Sequence, residues 1–303
     1  YTSAKYIQRL KEPKNQELME IINCADEKKK VQQFNAYIRK AENLKKFQKI
    51  FPIIATTSIS AHKLGEPGTY FDMVIMDEAS QGNIAMSLVP IIRGWSLMLV
   101  GDPQQLSPVI LLHPADNERL KKIYSVTEEY DYIKNSIYKT YLACDAVSEE
   151  ILLSHHYRCN EKIIAFNNQK YYNNKLVINS QSQADTPLIF KNIAGNTTNY
   201  KNTAPREAEE IIEFIKDNPD KSIGVITPFT NQKELIHAML QENGMKDVPC
   251  GTVHAFQGDE KDVVLFSLAL TEQTGQGTYD WLKNNKELIN VATSRAKEQL
   301  VIP

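Results

Sequence analysis

No stretch of this sequence approaches the roughly 20 consecutive apolar residues that a helix needs to cross a bilayer, which excludes a membrane-spanning helix. The opening, Tyr1-Thr2-Ser3-Ala4-Lys5, lacks the charged and apolar regions of a signal peptide, so secretion is not expected. Cysteine is scarce. The four present, Cys24, Cys144, Cys159 and Cys250, lie far apart with no CxxC or His-adjacent spacing, which argues against a disulfide framework or a zinc site. Neither sign of charge dominates: 35 Lys and Arg face 37 Asp and Glu, so any polyanion must be held in a local groove rather than by bulk positive charge. An initiator Met is missing too, and a chain that opens on Tyr1 inside a lysine-rich segment reads as a piece cut from something longer. An intracellular, cytoplasmic location is the expectation.

What is present is 303 residues with a hydrophobic fraction of 42%, enough for two cores. Residues 1 to about 50 read as basic helix, with Val31, Phe34, Ile38, Ala41, Leu44 and Phe47 forming one apolar stripe. From Pro52 the texture changes to short apolar runs, Ile53 to Ala55, Met73 to Met76 and Leu97 to Val100. They read as buried parallel strands covered on both faces. Residues 181 to 206 read as surface loop around a short strand at Leu188 to Phe190. A second α/β unit follows: helix Glu207 to Lys216, strand Ser222 to Thr227, helix Asn231 to Gln241, strand Val263 to Leu270, helix Lys286 to Arg295 and a last strand, Leu300 to Ile302. No internal repeat or low-complexity tract interrupts this order.

Five blocks could carry chemistry. In Val74-Ile75-Met76-Asp77-Glu78-Ala79-Ser80-Gln81 a strand ends in two adjacent carboxylates, at the edge where open parallel sheets bind ligands. In a nucleoside triphosphatase the first acid of such a pair holds magnesium and the second orients the attacking water; otherwise the acids simply cap the next helix. Leu97-Met98-Leu99-Val100 runs into Gly101-Asp102-Pro103-Gln104-Gln105-Leu106, a second strand ending in a glycine turn at the same edge, either a phosphate sensor or a plain turn. The third block is Leu152-Leu153-Ser154-His155-His156-Tyr157-Arg158-Cys159. Its neighbouring histidines point to opposite faces of a strand and lack a third ligand, while Arg158 suits a phosphate or a surface pair. The fourth is Gly251 to Asp262, GTVHAFQGDEKD, and the fifth Asn290 to Lys297, NVATSRAK.

In this order and spacing the blocks resemble superfamily 1 helicases, in the B branch with the RNA-surveillance (Upf-type) and Senataxin-like enzymes. DEASQ resembles that family's motif II, GDPQQLSPV its motif III, HYRC its motif IV, GTVHAFQGDEKD its motif V region and NVATSRAK its motif VI. Ala55 to Ser60 resembles the segment that lies along the nucleic-acid path and Ile226 to Gln232 the TPF-x-x-Q segment of the second domain, so the likeness spans about Ile53 to Ile302. It implies an α/β P-loop NTPase of two RecA-like parallel-sheet domains, residues 1–147 (the first, N-terminally truncated, with a helical stalk over about 1–50) and 148–303. ATP and Mg²⁺ are the implied cofactors, and single-stranded DNA or RNA the partner, tracked 5′ to 3′ by a helicase or translocase. By the same resemblance Asp77 holds magnesium, Glu78 is the catalytic base and Gln105 contacts the terminal phosphate. Arg158 and Arg295 act as arginine fingers, Glu260 contacts the nucleotide, and Thr57, Pro108, Thr227, Thr252 and His254 line the single-strand groove by backbone contacts.

One departure stands against the matches. The glycine-rich G-x-x-G-x-G-K-[ST] loop that such enzymes need occurs nowhere in the 303 residues. The expectation is that it lies upstream of Tyr1 and that residues 1–303 alone are inactive. The alternative is a nucleic-acid-binding or interaction module without ATPase function.

Overall fold

The computed structural model describes residues 2–145, 147–182, 184–195, 200–256 and 258–303, with the side chains of Thr2 and Ser3 left aside. Gln257 of the fourth block, and Gln183 and residues 196–199 of the expected loop, lie outside the described residues. The chain divides into two units. One comprises Tyr1–Pro103 and Ser107–Ser148; the other comprises Gln104–Leu106 and Glu149–Pro303.

The first unit opens on four helices, α1 (Thr2–Gln8), α2 (Gln16–Ile22), α3 (Glu27–Arg39) and α4 (Ala41–Gln48). Asp26 starts α3 by accepting the amides of Lys28 and Lys29 at 2.9 and 3.1 Å, the usual role of an aspartate at an N-cap. The single stripe expected over residues 31–47 is broken at Lys40, whose extended backbone (ψ 123°) turns the chain between α3 and α4. Leu18, Tyr37, Ile38, Leu44 and Ile50 meet in one core, whereas Val31 stays exposed. The apolar pattern survives the turn because each half supplies its own inward residues.

Two parallel strands follow, β1 (Phe71–Met76) and β2 (Gly94–Leu99), joined through α5 (Ile84–Ile91) and followed by α6 (Pro114–Tyr124) and α7 (Ile137–Cys144). Val74 pairs with Leu97 and Met76 with Leu99. These four side chains share one face, which packs on Ala79, Ile84 and Ile137. The opposite face, Met73, Ile75 and Met98, is open to solvent, with Ile75 61% exposed. The expectation of coverage on both faces is therefore corrected for this sheet: its second face is covered at Phe71, which packs on the helical core, but not at Met73, Ile75 and Met98. Ile53 to Ala55 forms no strand, since no neighbour pairs with it, and Ile53 is exposed.

The second unit carries β3 (His155–His156), α8 (Glu161–Tyr171), β4 (Val177–Ile178), β5 (Leu188–Phe190), α9 (Pro205–Asp217), β6 (Ile223–Thr227), α10 (Thr230–Glu242), β7 (Cys250–Thr252), β8 (Lys261–Phe266), α11 (Gln276–Asn284), α12 (Lys286–Thr293) and β9 (Ala296–Ile302). Five strands form one parallel sheet in the order β5-β9-β8-β6-β7. Strand side chains alternate faces, and here both faces are apolar. Ile226, Val264, Phe266 and Leu300 pack with α8 and α12, while Val225, Val263, Leu265 and Val301 pack with α9 and α10. This unit has the doubly covered sheet that the apolar runs predict. Burying one such phenylalanine or isoleucine contributes about 1.5 to 3 kcal/mol, so β8, central and apolar on both faces, is a main anchor of the unit.

Candidate nucleotide and nucleic-acid sites

In the first unit the acidic block sits at the carboxyl end of β1. Asp77 Oδ1 accepts the Glu78 amide at 2.9 Å, and Gln81 Nε2 donates to Glu78 Oε2 at 2.9 Å. Glu78 adopts a left-handed backbone (φ 51°), a conformation that costs a non-glycine residue of order 1 to 3 kcal/mol and concentrates at functional sites. The glycine turn after β2 lies against the same edge. Ala79 N donates to Val100 O at 2.8 Å. A Cβ on Gly101 would fall 2.8 Å from Ser80 N, so only glycine permits this approach. Both carboxylates are exposed beside that turn, and the Ser80 hydroxyl is enclosed there without a hydrogen-bond partner. The alternative reading of the acids as plain helix caps does not describe this geometry, because α5 is capped by Asn83, whose Oδ1 accepts Met86 N at 2.9 Å.

The glycine-turn block does not stay in one unit. Gly101 to Pro103 belong to the first, whereas Gln104–Leu106 belong to the second. There Asn290 Nδ2 donates to Gln104 O at 2.9 Å, and Leu106, 1% exposed, enters the core beside Ile163, Ile226 and Phe266. Gln105 is thereby held in the second unit between two anchored neighbours. Asn290 also joins a buried polar set with Asn167, whose Nδ2 donates to Asn290 Oδ1 at 2.7 Å and to Thr293 Oγ1 at 2.8 Å.

Three distant blocks converge in the second unit. Arg158 Nε donates to Glu260 Oε2 and Lys297 Nζ to Glu260 Oε1, each at 2.7 Å. Backbone bonds fix the meeting point: Asn160 N to Lys297 O at 2.7 Å and Lys261 N to Arg295 O at 3.1 Å. Arg295 is buried, its Nε donating to Val291 O in the last turn of α12 at 3.2 Å. Lys297, and to a lesser degree Arg158, hold the Glu260 carboxyl below the usual carboxylate range despite partial burial. Two cations, Arg158 and Lys297, thus share one carboxylate, leaving an excess of positive charge suited to an anion. Cys159, next in sequence, is no nucleophile there, because burial pushes its thiol up to about 12 even with Arg158 and Arg295 near. His156 turns inward to accept Cys159 N at 3.0 Å, and burial with Arg158 lowers its pKa.

The residues expected to line a strand divide differently. Thr57, exposed, accepts Ser60 N at 3.3 Å at the start of a short 3₁₀ turn, and Pro108 is half-buried in an irregular segment of the first unit. Thr252 and the exposed His254 lie at the carboxyl end of β7. Thr227 pairs with Thr252 in register, but it is fully buried and its Oγ1 accepts Phe229 N at 3.3 Å. This corrects its assignment to a groove surface: Thr227 shapes the turn after β6. Lys297 and Asn290 had no role in the sequence reading although both lie in the fifth block. Lys297 stands two positions beyond Arg295, at the start of a strand longer than the expected Leu300 to Ile302.

Fold and site together define a class, parallel-sheet α/β P-loop NTPases, with an acidic strand edge in one unit and an arginine-lysine cluster in the other. AAA-domain family profiles match the chain over residues 133–303 and 2–112. The chain belongs to this AAA-domain family and, within it, to the Upf-type branch of superfamily 1 helicases. It is 29% identical over 279 residues to an uncharacterized ATP-dependent helicase of Methanocaldococcus jannaschii, covering 82% of this chain and 38% of that protein. It is 27% identical to the RNA helicase Mov10l1 of Mus musculus, over 92% of this chain and 26% of that protein. With the ATP-dependent helicase NAM7 of Saccharomyces cerevisiae it shares 30% identity, over 77% and 25% respectively. The chain thus spans a quarter to two fifths of the length of these relatives.

Proposed function

We propose that these residues serve ATP hydrolysis coupled to movement along single-stranded DNA or RNA, as part of a 5′-to-3′ helicase or translocase. The observation that carries this reading is the meeting of Arg158 and Lys297 on Glu260, with Arg158 102 positions from Glu260 and Arg295 held next to them by the backbone bond from Lys261 N. Such charge is not needed to pack a core. Within the reading, Arg158 and Arg295 stabilise negative charge on the transferring phosphoryl group, Glu260 and Lys297 aim Arg158, and Glu78 takes the proton of the attacking water.

The residues present fit magnesium only in company with a nucleotide. Among the described residues no three His, Cys, Asp or Glu side chains are grouped to hold a metal, whereas a magnesium site of this chemistry needs one or two carboxylates plus phosphate oxygens. Asp77 is the fitting carboxylate: one oxygen is fixed by Glu78 N and the side chain is exposed at the strand edge. The bound magnesium nucleotide supplies the phosphoryl group and neutralises its charge.

Residues 1–303 alone are expected to bind single strands without turning over ATP, because the glycine-rich phosphate loop is absent from them. In a version of the protein that includes such a loop, Glu78→Gln is expected to lower strand-stimulated hydrolysis about 10²-fold or more, and Arg158→Ala about 10³-fold. Glu78-dependent turnover by residues 1–303 overturns the expectation that they need an added phosphate loop, and unchanged turnover in the looped Glu78→Gln protein overturns the proposal.

A further inference from the structure

A cleft at the carboxyl edge of the five-stranded sheet lies outside the five blocks, although Pro228 to Asn231 of the Ile226 to Gln232 segment form one of its walls. The turn after β6, the loop between β8 and α11, and the residues before α9 enclose two adjoining hollows of about 440 and 380 Å³, which share Lys201, Asn202, Gly277 and Thr278. Each volume suits a small ligand. Trp281 forms one wall and is 41% exposed. Its indole leans on the buried Phe229 ring, with centroids 5.6 Å apart and planes inclined by 38°, so the ring is braced from within while part of it faces the cleft.

The other walls are polar and free of negative charge. Among the described residues no carboxylate lines either hollow, and Lys201 supplies a cation. Asn231 Nδ2 donates to Lys201 O at 2.9 Å, and Thr278 Oγ1 to Asn202 Oδ1 at 3.3 Å, so the loops are tied together around the opening. Space beside Gly277 is open. Two lining residues, Asn202 (φ 57°) and Ala269 (φ 48°), are non-glycine residues in the left-handed region. Strain of this kind gathers at ligand clamps, and for Ala269 it is held by Glu207, which accepts its amide at 3.0 Å.

We propose that this cleft is a stacking site for one base of a single-stranded nucleic acid, with Trp281 as the platform and Lys201 beside the neighbouring phosphate. The inference rests on the strand-binding reading above and adds a residue to it that no block contains. A braced aromatic ring, amide and hydroxyl groups, and a cation without a nearby lining carboxylate match a base, a sugar and a phosphate in turn. The cleft opens at the ends of β6 and β8, and β7 with Thr252 and His254 lies beside β6. Two strand spacings are roughly 10 Å, a distance a strand passing Thr252 would cover. Stacking on an aromatic ring is tolerant of base identity, so the site would add affinity without sequence preference.

The chain has two tryptophans, Trp95 and Trp281. Trp95 is exposed, so Trp95→Phe leaves Trp281 as the sole indole reporter. That protein would be titrated with labelled 12-residue oligo(dT) and oligo(U), and with an abasic strand of equal length. Strand anisotropy reports binding and Trp281 emission reports stacking. Both base-bearing strands are expected to quench Trp281 and the abasic strand not. Trp281→Ala is expected to weaken binding roughly 5- to 150-fold, while Trp281→Phe, which keeps a ring, recovers most of it. Lys201→Ala is expected to reduce the salt dependence of binding instead. Binding without quenching, equal quenching by the abasic strand, or Trp281→Ala affinity within twofold overturns the stacking site alone. Absence of any strand binding overturns both this site and the function proposed above.

Discussion

Replacing Glu207, a carboxylate 4% exposed in the first turn of α9, tests how the strained loop after β8 is held. Its Oε2 accepts Ser267 Oγ at 2.7 Å and Ala269 N at 3.0 Å, and Gln232 Nε2 donates to Ser267 Oγ at 2.9 Å while Gln232 Oε1 accepts Ala204 N at 2.8 Å. Glu207→Ala removes the acceptor of two buried donors. Each donor left unpaired costs about 1 to 3 kcal/mol, and the hydroxyl can turn elsewhere, so a loss of about 2 to 5 kcal/mol is expected. Glu207→Gln keeps an acceptor oxygen for both donors and has no charge to desolvate, so it should stay within about 1 kcal/mol of the parent. Urea unfolding followed by Trp281 emission in the Trp95→Phe protein reports on this unit. With a slope of about 2 kcal/mol per molar urea, the alanine midpoint falls by about 1 to 2.5 M.

The pH dependence carries an independent sign. Burial raises the Glu207 pKa above its ordinary value, against the two hydrogen bonds that lower it. Folding therefore favours the protonated acid. Its contribution is fully present below the unfolded-state pKa and is lost as pH rises through the folded-state value. The stability of Glu207→Gln relative to the parent should accordingly increase from pH 4 to pH 8. A glutamine variant as unstable as the alanine one, or a relative stability that falls with pH, refutes the reasoning.

Three further outcomes concern packing, two in the first unit and one in the second. Asp131 is fully buried in the first unit, and although burial opposes it, Lys121 at 2.6 Å, two backbone amides and Asn117 bring its carboxyl down to about 2. Its contribution is present above the ordinary carboxylate range and lost as pH falls from about 4 toward 2, so acid unfolding should be shallower in Asp131→Asn. Lys121→Met leaves Asp131 without its main partner and should lower the thermal unfolding midpoint at neutral pH; an unchanged midpoint would count against this account. Leu106→Ala should cost about 2 to 5 kcal/mol and shift the unfolding transition seen by Trp281 but not the one seen by Trp95, because Leu106 packs in the second unit. A shift confined to Trp95 would contradict that placement.

Much of the architecture was legible because apolar periodicity follows burial directly. The runs at Met73, Leu97, Ser222 and Val263 became β1, β2, β6 and β8, and the helices at 207, 231 and 286 formed within a few residues of their expected bounds. Ile53 to Ala55 misled, since an apolar run becomes a strand only where a neighbour supplies the ladder. The break at Lys40 was hidden because the stripe continues in register across the turn. The candidate residues could be named from residue types beside element ends: Asp77, Glu78, Arg158 and Arg295 stand just past a strand or helix, and Glu260 just before β8 begins.

By itself the sequence determined the parallel α/β class, the order of the blocks and the family, because hydrophobic alternation and motif spacing are properties of the chain in one dimension. Tertiary structure alone decided that Thr227 is buried while Thr252 beside it is not, that Leu106 belongs to the core of the second unit, and that Lys297 shares Glu260 with Arg158. It also brought Trp281 and Lys201, 80 positions apart, into one cleft. The physical reason is common to all of these. Burial, pairing and charge proximity depend on distances through space, and those are fixed only when separate segments pack against one another.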